Sequence, residues 1–282
     1  MVEKEGLFEV EKWISERQAP RGKWRKKDFR DRKTEQYVFD VPTLETLYKF
    51  AQKGLITALG GPISRGKESV IFHALGAEEK ELAIKLYKMN TATFNTMVDY
   101  ILGDPRFKGI KKDHRSIIFA WARKEYKNLM RALEAGVRVP TPLACDRNVL
   151  IMEFIGTDGI AAPRLRDVPA EMLAEAIGLE ELFQQIVVAM KRLYTKAGLV
   201  HADLSEFNIL LTGYVERELA SSVEAGAALD LAPVLIDMGQ ATLLDHPNAR
   251  PFLLRDAQNM STYFAKLGLA HSEEEIIQMV TV

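Results

Sequence analysis

Cysteine is almost absent from this sequence, and so is any excess of charge of one sign. Cys145 stands alone among 282 residues, so no disulfide can form within the chain, as is typical of proteins in a reducing compartment. Cys145 falls in a stretch interpreted as a loop, and we expect it to be unreactive. The net charge is −1, so any affinity for nucleic acid or membrane must come from a local patch.

Long apolar runs are also missing. No segment approaches the ~18–20 apolar residues that a membrane-spanning helix needs. The first residues, Met1-Val-Glu-Lys-Glu, lack the apolar core of a signal peptide. Apolar residues nevertheless make up 47% of the chain, which is enough for one large domain or two lobes. The sequence therefore predicts a soluble, cytoplasmic protein with no membrane partner.

A dense basic segment lies within the polar residues 1–36. Between Pro20 and Lys33 there are eight basic residues and two acidic ones, with Trp24 and Phe29 interleaved. Basic side chains pair with phosphates, and aromatic side chains can stack on unpaired bases. Two interpretations follow, an arm that contacts RNA and a solvated tail that contacts nothing.

Periodicity divides the rest of the chain into helices and strands. Apolar residues at helical spacing predict helices over 43–53, with Thr43 as the N-cap and Gly54 as the C-cap, over 115–134, and within 170–197 and 252–280. Apolar runs bounded by turn residues predict strands on either side of Gly66, over 82–86 and over 149–156.

Two short polar motifs carry the strongest chemical signal. Asn208 follows Asp203 by five positions, the spacing of a kinase catalytic loop, and Asp237 precedes Gly239 as in a D-F-G triplet. Each motif adjoins a short apolar run that predicts a buried strand. Phosphoryl transfer needs one carboxylate to orient the acceptor, and an Asn and a second Asp to hold metal on the phosphates. Either motif alone could be an ordinary turn, but together they predict Asp203 as catalytic, with His201 bracing its loop.

Lys85 is the next informative residue because it interrupts the apolar run Leu82–Leu86. A buried lysine is costly unless it meets an anion, which suggests a phosphate-binding lysine with a glutamate partner. Glu125, on the predicted helix 115–134, is the candidate. The alternatives are a lysine that faces solvent on an edge strand and an ordinary exposed helix acid.

The turn before Lys85 is a candidate cover for the nucleotide phosphates. It contains Ser64, Gly66, Lys67 and Glu68, and Ile71 follows on the next strand. Gly66 can take a positive φ and bring backbone N–H groups close to phosphate. A plain hairpin turn is the alternative.

The segment Met152-Glu153-Phe-Ile155 resembles a kinase hinge. Adenine needs one backbone acceptor and one backbone donor two residues apart, which the carbonyl of Glu153 and the N–H of Ile155 would supply. Met152 would then lie at the back of the adenine pocket. A simple buried strand is the alternative.

These motifs predict an α+β, two-lobed, protein-kinase-like fold. The 45 residues after Asp237 contain no A-P-E anchor, so the C-terminal lobe should be truncated, without an activation segment or peptide-substrate helices. The predicted domains are a basic arm (1–36), extension helices with a nucleotide-binding N-lobe (37–152), and a catalytic C-lobe (153–282).

At the level of whole motifs, the chain resembles the RIO kinases, an atypical protein-kinase family, and most of all the first RIO subfamily. The resemblance covers roughly residues 38–270. Its segments are Ser64-Arg-Gly-Lys-Glu-Ser, Leu-Ala-Ile-Lys85-Leu-Tyr-Lys, Gly103-Asp-Pro-Arg-Phe107, Lys124-Glu-Tyr-Lys-Asn-Leu, Met152-Glu-Phe-Ile-Gly, Ala162-Pro-Arg-Leu165, Val-His-Ala-Asp203-Leu-Ser-Glu-Phe-Asn208-Ile-Leu and Leu-Ile-Asp237-Met-Gly-Gln240.

The resemblance implies a serine/threonine-protein kinase or ATPase that uses ATP with Mg²⁺, or Mn²⁺ in its place. Asp203 would be catalytic, Asn208 and Asp237 would bind the metal, and Lys85 would bind phosphate. Asp237 would also be able to accept phosphate, and serine autophosphorylation would occur. The implied partner is the precursor of the small ribosomal subunit, including its RNA.

Two features depart from the family pattern. Arg65 and Ser69 stand where the family turn usually has Thr and Ala. Asn208 and Asp237 are 29 positions apart, against about 13 in kinases generally. The extra residues, around Glu216–Leu231, read as a short helical insertion that must loop out if the metal site is to form.

Two other functions remain open at this point. A small-molecule phosphotransferase of the aminoglycoside-kinase type shares the same Asp–Asn–Asp order. A ribosome-assembly factor that binds ATP without turning it over would carry the same residues.

Overall fold

The computed structural model describes residues 39–213 and 231–282. The basic arm and nearly all of the predicted insertion around 216–231 lie outside these ranges. In the part of the chain that the structure describes, no helix has both the length and the apolar character to cross a bilayer.

Helices and strands alternate along the described ranges. The α-helices are α1 (Val41–Gln52), α2 (Phe94–Leu102), α3 (His114–Glu134), α4 (Ala170–Ala176), α5 (Leu179–Arg192), α6 (Ala249–Lys266) and α7 (Glu273–Thr281). The strands are β1 (Ala58–Arg65), β2 (Ser69–Leu75), β3 (Glu81–Tyr87), β4 (Pro142–Asp146), β5 (Val149–Glu153), β6 (Gly156–Thr157), β7 (Ile160–Ala161), β8 (Leu199–Val200), β9 (Ile209–Thr212), β10 (Ala232–Leu235) and β11 (Thr242–Leu243).

The described residues form two compact units that are interleaved in sequence. The first takes the chain up to Ile101, together with Gly109–Arg123 and Pro142–Phe154. The second takes Leu102–Lys108, Lys124–Thr141 and the chain from Ile155 onwards. The domain prediction has an uninterrupted N-lobe up to residue 152, whereas in the structure two stretches before that point belong to the second unit.

The first unit is built on a five-stranded antiparallel sheet in the order β1–β2–β3–β5–β4. Side chains alternate between the two faces of a strand, and one face carries the core. That face includes alternate residues of β2 and β3, packed with side chains of α1: Val70, Phe72, Ala74, Leu82, Ile84, Leu86, Leu47 and Phe50. The central strand β3 therefore directs its other residues, Lys85 among them, to the opposite face.

The second unit combines helices with short paired strands. β9 and β10 pair antiparallel from Ile209↔Leu235 to Thr212↔Ala232, and β8 pairs with β11. The two apolar runs beside the catalytic motifs are therefore strands, as predicted. Phe183 of α5 and Phe264 of α6 are fully buried and meet edge to face, with ring centroids 5.2 Å apart.

Three local predictions differ from the structure: the N-cap and the C-cap of α1, and the loop position of Cys145. Asp40, and not Thr43, is the N-cap of α1, because the Asp40 carboxylate accepts from both the amide and the hydroxyl of Thr43. Gly54 lies one position beyond the C-cap, with φ of 73°. Cys145 is in strand β4 and not in a loop. β4 is an edge strand that begins at Pro142, where a missing N–H removes no ladder bond.

Candidate active site

The sheet of the first unit places three of the predicted nucleotide-binding side chains on one face. Ile71 and Leu150 lie directly opposite Lys85 on the neighbouring strands, and Met152 lies opposite Ala83. Opposed residues of an antiparallel sheet share a face, so Ile71, Lys85 and Met152 point to the same side. Lys85 is 5% exposed on the central strand, so the alternative of a solvent-facing edge lysine is wrong.

The β1–β2 turn is tied to the chain that follows β3. The carbonyl of Gly66 accepts from Lys88 Nζ at 2.7 Å, and the carbonyl of Lys67 accepts from Thr91 Oγ1 at 3.3 Å. Gly66 does not use the positive φ that a glycine can adopt, and its N–H donates to the Ser69 carbonyl at 2.9 Å. Lys67 is exposed, while Ser64 and Glu68 are partly buried.

Glu125 and the hinge residues lie where chain segments pass from one unit to the other. Glu125 is on α3, in the second unit, and is 1% exposed, so the alternative of an exposed helix acid is wrong. Glu153 ends β5, and Ile155 is the first residue of the second unit. The Ile155 carbonyl accepts from the Ala162 amide at 3.0 Å. Pairing of Lys85 with Glu125, and adenine binding by the hinge, stay predictions.

In the second unit, the β9–β10 hairpin brings Asn208 and Asp237 to one end. The ladder continues past its last strand pair, because the Ile236 amide donates to the Asn208 carbonyl at 3.0 Å. Asp237 follows at once, is exposed and has φ of 62°. A non-glycine residue in this region costs on the order of 1 kcal/mol and often marks a functional site. Because Thr212 pairs with Ala232, the chain between the two strands does not separate the predicted metal ligands.

Asp203 is held by two side-chain amides. Asn208 Nδ2 donates to the Asp203 backbone carbonyl at 2.7 Å and to its carboxylate at 3.2 Å. Gln240 Nε2 donates to the same carboxylate oxygen at 3.1 Å. Burial, and then the negative charge of Asp237, raise the pKa of Asp203 above its usual value. Gln240 lies within a motif that the sequence identified, but no role for it was predicted.

His201 braces the loop, as predicted. Its Nε2 is 3.1 Å from the Ile236 carbonyl, so the residue two before Asp203 is linked to the residue before Asp237. Complete burial lowers the pKa of His201 to about 4. The imidazole is therefore neutral at pH 7, in agreement with a bracing role.

Helix α6 holds the backbone on both sides of Asp203, which the sequence did not predict. The Asp256 carboxylate accepts from the amides of Ala202 and Leu204 at 2.8 and 2.9 Å. Arg255 donates to the Ala202 carbonyl, and Asn259 donates to the Leu204 carbonyl at 2.8 Å. The sequence does contain a sign of this contact. Asp256 falls on the apolar face of its helix, with the buried Leu253 three positions before it and the buried Met260 four positions after it. A carboxylate at such a position indicates a buried polar partner.

The donor set suits a hard divalent cation bound together with phosphates. Both hydrogen bonds of the Asn208 side chain use its nitrogen, so its amide oxygen is left for a cation. Asp237 and Asp203 are close enough for their charges to interact, and a cation would offset that repulsion. No group of three or more His, Cys, Asp or Glu side chains within 39–213 and 231–282 could hold a metal by itself. Phosphate and water oxygens would have to complete the coordination, as is usual for Mg²⁺.

Similarity to known proteins identifies the family of this chain. A sequence model of the RIO domain family matches residues 70–216 and 228–277. The RIO-type serine/threonine-protein kinase Rio1 of Haloferax volcanii is 42% identical over 257 residues, which are 91% of this chain and 80% of that protein. The chain belongs to the RIO kinase family. It is an atypical serine/threonine-protein kinase, and the Rio1 relatives place it in the first subfamily, as the motifs predicted.

Other members of the RIO family extend the comparison. The Rio1 kinase of Methanocaldococcus jannaschii is 36% identical, over 91% of this chain and 80% of that protein. Human RIO1 is also 36% identical, over 94% of this chain but only 44% of the human protein. The crystal structure of the Rio2 kinase–ADP/Mg²⁺–phosphoaspartate complex from Chaetomium thermophilum matches with a TM-score of 0.59 at 22% identity, over 84% of this chain and 66% of that one. This likeness confirms the truncated, two-lobed kinase-like fold.

The buried carboxyl of Asp256 gives a pH-dependent prediction. Burial raises its pKa from 3.8 to about 7, so the folded protein keeps a proton that the unfolded chain releases between these values. The contribution of Asp256 to the free energy of unfolding should therefore fall as the pH rises from about 4 to about 7, and level off above.

This prediction is checked by urea unfolding of wild type and Asp256→Asn at a series of pH values. The variant cannot titrate at this position, so the wild-type free energy of unfolding minus that of the variant should decrease up to about pH 7. A difference that stays constant from pH 5 to 8 would show that the Asp256 carboxyl is already ionised throughout.

Proposed function

We propose that this RIO kinase transfers the γ-phosphoryl group of Mg²⁺-ATP through the loop and hairpin end that carry Asp203, Asn208 and Asp237. The observation that supports this most strongly is the Ile236–Asn208 hydrogen bond, since it brings the two expected metal ligands together despite the 29 positions between them. The amide contact from Asn208 adds the carboxylate of Asp203 to the same site.

Asn208 and Asp237 would hold magnesium on the nucleotide phosphates, where the ion neutralises charge that develops during transfer. The Asn208 amide oxygen and the exposed Asp237 carboxylate are the ligands that this chain would supply. Mn²⁺, which also prefers oxygen ligands, would occupy the same position.

Asp203 would orient the accepting group and take its proton. In this step the acceptor oxygen bonds to the γ-phosphorus, the bond to the β-phosphate oxygen breaks, ADP leaves, and the Asp203 carboxylate receives the acceptor's proton. Burial raises the pKa of Asp203, which suits this role, because a carboxylate with a pKa closer to neutrality is a better proton acceptor. The Asn208 and Gln240 amides fix which carboxylate oxygen faces the acceptor.

Most of the residues proposed to bind the nucleotide belong to the first unit, whereas Glu125 and Ile155 belong to the second. On the sheet of the first unit, Lys85 would contact the α- and β-phosphates, and Ile71 and Met152 would contact the adenine side of ATP. The turn residues Ser64, Gly66, Lys67 and Glu68 would cover the phosphates, Glu125 would pair with Lys85, and the backbones of Glu153 and Ile155 would bind adenine.

Asp237 is also the proposed acceptor in a hydrolytic cycle. The complex from the C. thermophilum Rio2 kinase contains ADP, Mg²⁺ and a phosphoaspartate, and by family resemblance Asp237 is the corresponding residue here. Its carboxylate would take the γ-phosphoryl group, and water would then release phosphate from the acyl phosphate, which makes the overall reaction ATP hydrolysis. Serine phosphorylation of the chain itself is the other proposed outcome.

The proposed roles predict different defects for two substitutions. Asp203→Asn should lower turnover by about 10²–10⁴-fold, because the proton acceptor is lost, with little change in ATP affinity. Asp237→Ala should abolish Mg²⁺-dependent turnover, because a metal ligand is lost. Release of labelled phosphate and transfer of label to the protein measure both effects, with Asp245→Asn as a control that removes an exposed carboxylate.

Unchanged Mg²⁺-dependent turnover in Asp237→Ala would contradict the metal assignment. If Asp203→Asn lost ATP binding while the rate per bound ATP held, Asp203 would be structural. Failure of wild-type protein to turn over ATP at all would favour the non-catalytic assembly factor.

The proposed partner is the precursor of the small ribosomal subunit. Two observations support it, the family resemblance and the basic, aromatic segment from Arg21 to Lys33 on a nearly neutral chain. This segment lies outside the described residues, so the proposal rests on its composition.

Deletion of residues 1–36 should leave ATP hydrolysis largely intact, since every proposed site residue lies at or after Ser64. Binding to small-subunit RNA should weaken, and each lost phosphate contact should lower the slope of log K against log salt by about one. Equilibrium binding at several salt concentrations tests this. Unchanged affinity and slope in the truncated protein would mean that residues 1–36 do not bind the RNA.

A further inference from the structure

The short turn that follows Asp237 is bound by side chains of helix α3. Lys124 Nζ donates to the carbonyls of Gly239 and Ala241 at 2.7 and 2.6 Å. Asn128 Nδ2 donates to the carbonyls of Met238 and Ala241 at 2.8 and 2.9 Å. Three of the four carbonyls between residues 238 and 241 therefore accept from two side chains one helical turn apart.

These two donors are themselves fully buried and anchored. Lys124 and Asn128 each have 0% exposure. The Asn128 amide oxygen accepts from Arg106 Nη1 at 2.9 Å, and Arg106 makes a two-pronged ion pair with the buried Asp104, with Nη2 to Oδ2 at 2.6 Å. The amide of Asn128 is thereby locked in the orientation that presents both N–H groups to the turn. Burial lowers the pKa of Lys124 to about 7.

Two residues depend on the position of this turn: Asp237, which directly precedes it, and Gln240, which lies within it. Asp237 has φ of 62°, a conformation that persists only where the surroundings enforce it. Gln240, inside the turn, donates to the carboxylate of Asp203. A movement of the turn would therefore change the direction of the Asp237 carboxylate and remove a hydrogen bond from Asp203 together.

We propose that Lys124 and Asn128 are positioning residues for phosphoryl transfer, which hold the turn 238–241 so that Asp237 faces the metal and Gln240 faces Asp203. This inference rests on the proposed function, since it assumes that Asp237 binds the metal. It adds that helix α3 sets the geometry of the metal ligand through neutral and charged hydrogen bonds to backbone carbonyls.

Three substitutions on one helix test the proposal in the full chain. Asn128→Asp keeps the acceptor for Arg106 but removes both donors to the turn, and Lys124→Gln removes the charge but keeps one donor group. Arg123→Gln is the matched control, because it removes a positive charge from an exposed position next to Lys124. Residues that orient a metal ligand typically contribute 10–100-fold to metal affinity or activity.

The Mg²⁺ concentration for half-maximal ATP turnover should rise about tenfold or more in Asn128→Asp and Lys124→Gln, and excess Mg²⁺ should restore part of the rate. The KM for ATP at saturating Mg²⁺ should stay close to the wild-type value, and Arg123→Gln should match wild type throughout. Wild-type Mg²⁺ dependence in folded Asn128→Asp and Lys124→Gln would overturn the proposal, even with lowered melting temperatures, since both residues would then only stabilise the fold.

If the variants fail to fold, amide hydrogen exchange on the wild-type protein still tests whether the turn is held in place. The Ala241 amide, which donates to the Met238 carbonyl at 3.3 Å, should exchange as slowly as core amides of α3, and exchange within seconds would overturn the proposal. Asp237→Ala, which removes both oxygens of this side chain, separates a failure of the proposed function from a failure of the present inference. If it keeps Mg²⁺-dependent turnover, the proposed function fails. If it is inactive while the α3 variants behave as wild type, only the present inference fails.

Discussion

The hydrogen bond from the Ile236 amide to the Asn208 carbonyl is the contact on which the proposed catalytic site depends. It extends the β9–β10 ladder by one step and sets the end of the catalytic loop beside Asp237. Antiparallel pairing puts the start of one strand next to the end of its partner. The number of residues between the two strands therefore has no bearing on the distance between the two proposed metal ligands, which is why a 29-position interval is compatible with a kinase site.

Around this hairpin end, the backbone is held by buried polar side chains more than by regular secondary structure. On helix α6, Asp256 accepts hydrogen bonds from the backbone on either side of Asp203. On helix α3, Lys124 and Asn128 donate hydrogen bonds to the backbone of the turn after Asp237. Removing one partner of such a contact leaves the other buried group without a hydrogen bond. This lowers the free energy of unfolding by about 1–3 kcal/mol, and by more when the group is charged. These contacts keep two residues of unfavourable φ, Ala202 and Asp237, in place.

Much of the fold could be predicted from the sequence because hydrophobic periodicity is a local signal. The strand around Lys85, the helix that carries Glu125 and the two short strands beside the catalytic motifs follow from it. Local turn chemistry was less certain. Asp40 and Thr43 are three positions apart and both are good N-cap residues, so the sequence alone does not decide between them. A glycine such as Gly66 does not show from the sequence whether its φ is positive or whether its N–H is already hydrogen-bonded.

The supporting residues of the site could not be predicted in the same way. Asp256, Lys124 and Asn128 act through contacts with segments that are between 50 and 120 positions away in sequence, and no pattern within a helix names the partner. A single sequence can still show a polar residue on a buried helix face, as with Asp256 between Leu253 and Met260. Such positions mark where a tertiary polar contact must exist, and the structure supplies its identity.

The central claim is that Asn208 and Asp237 hold the metal at the end of the β9–β10 hairpin. A crystal structure with Mg²⁺ and a non-hydrolysable ATP analogue tests it most directly. The account predicts Mg²⁺ bound by the Asn208 amide oxygen and the Asp237 carboxylate, with the turn 238–241 still bonded to Lys124 and Asn128. A metal that binds the phosphates without either ligand, or a turn that has left α3, would contradict it.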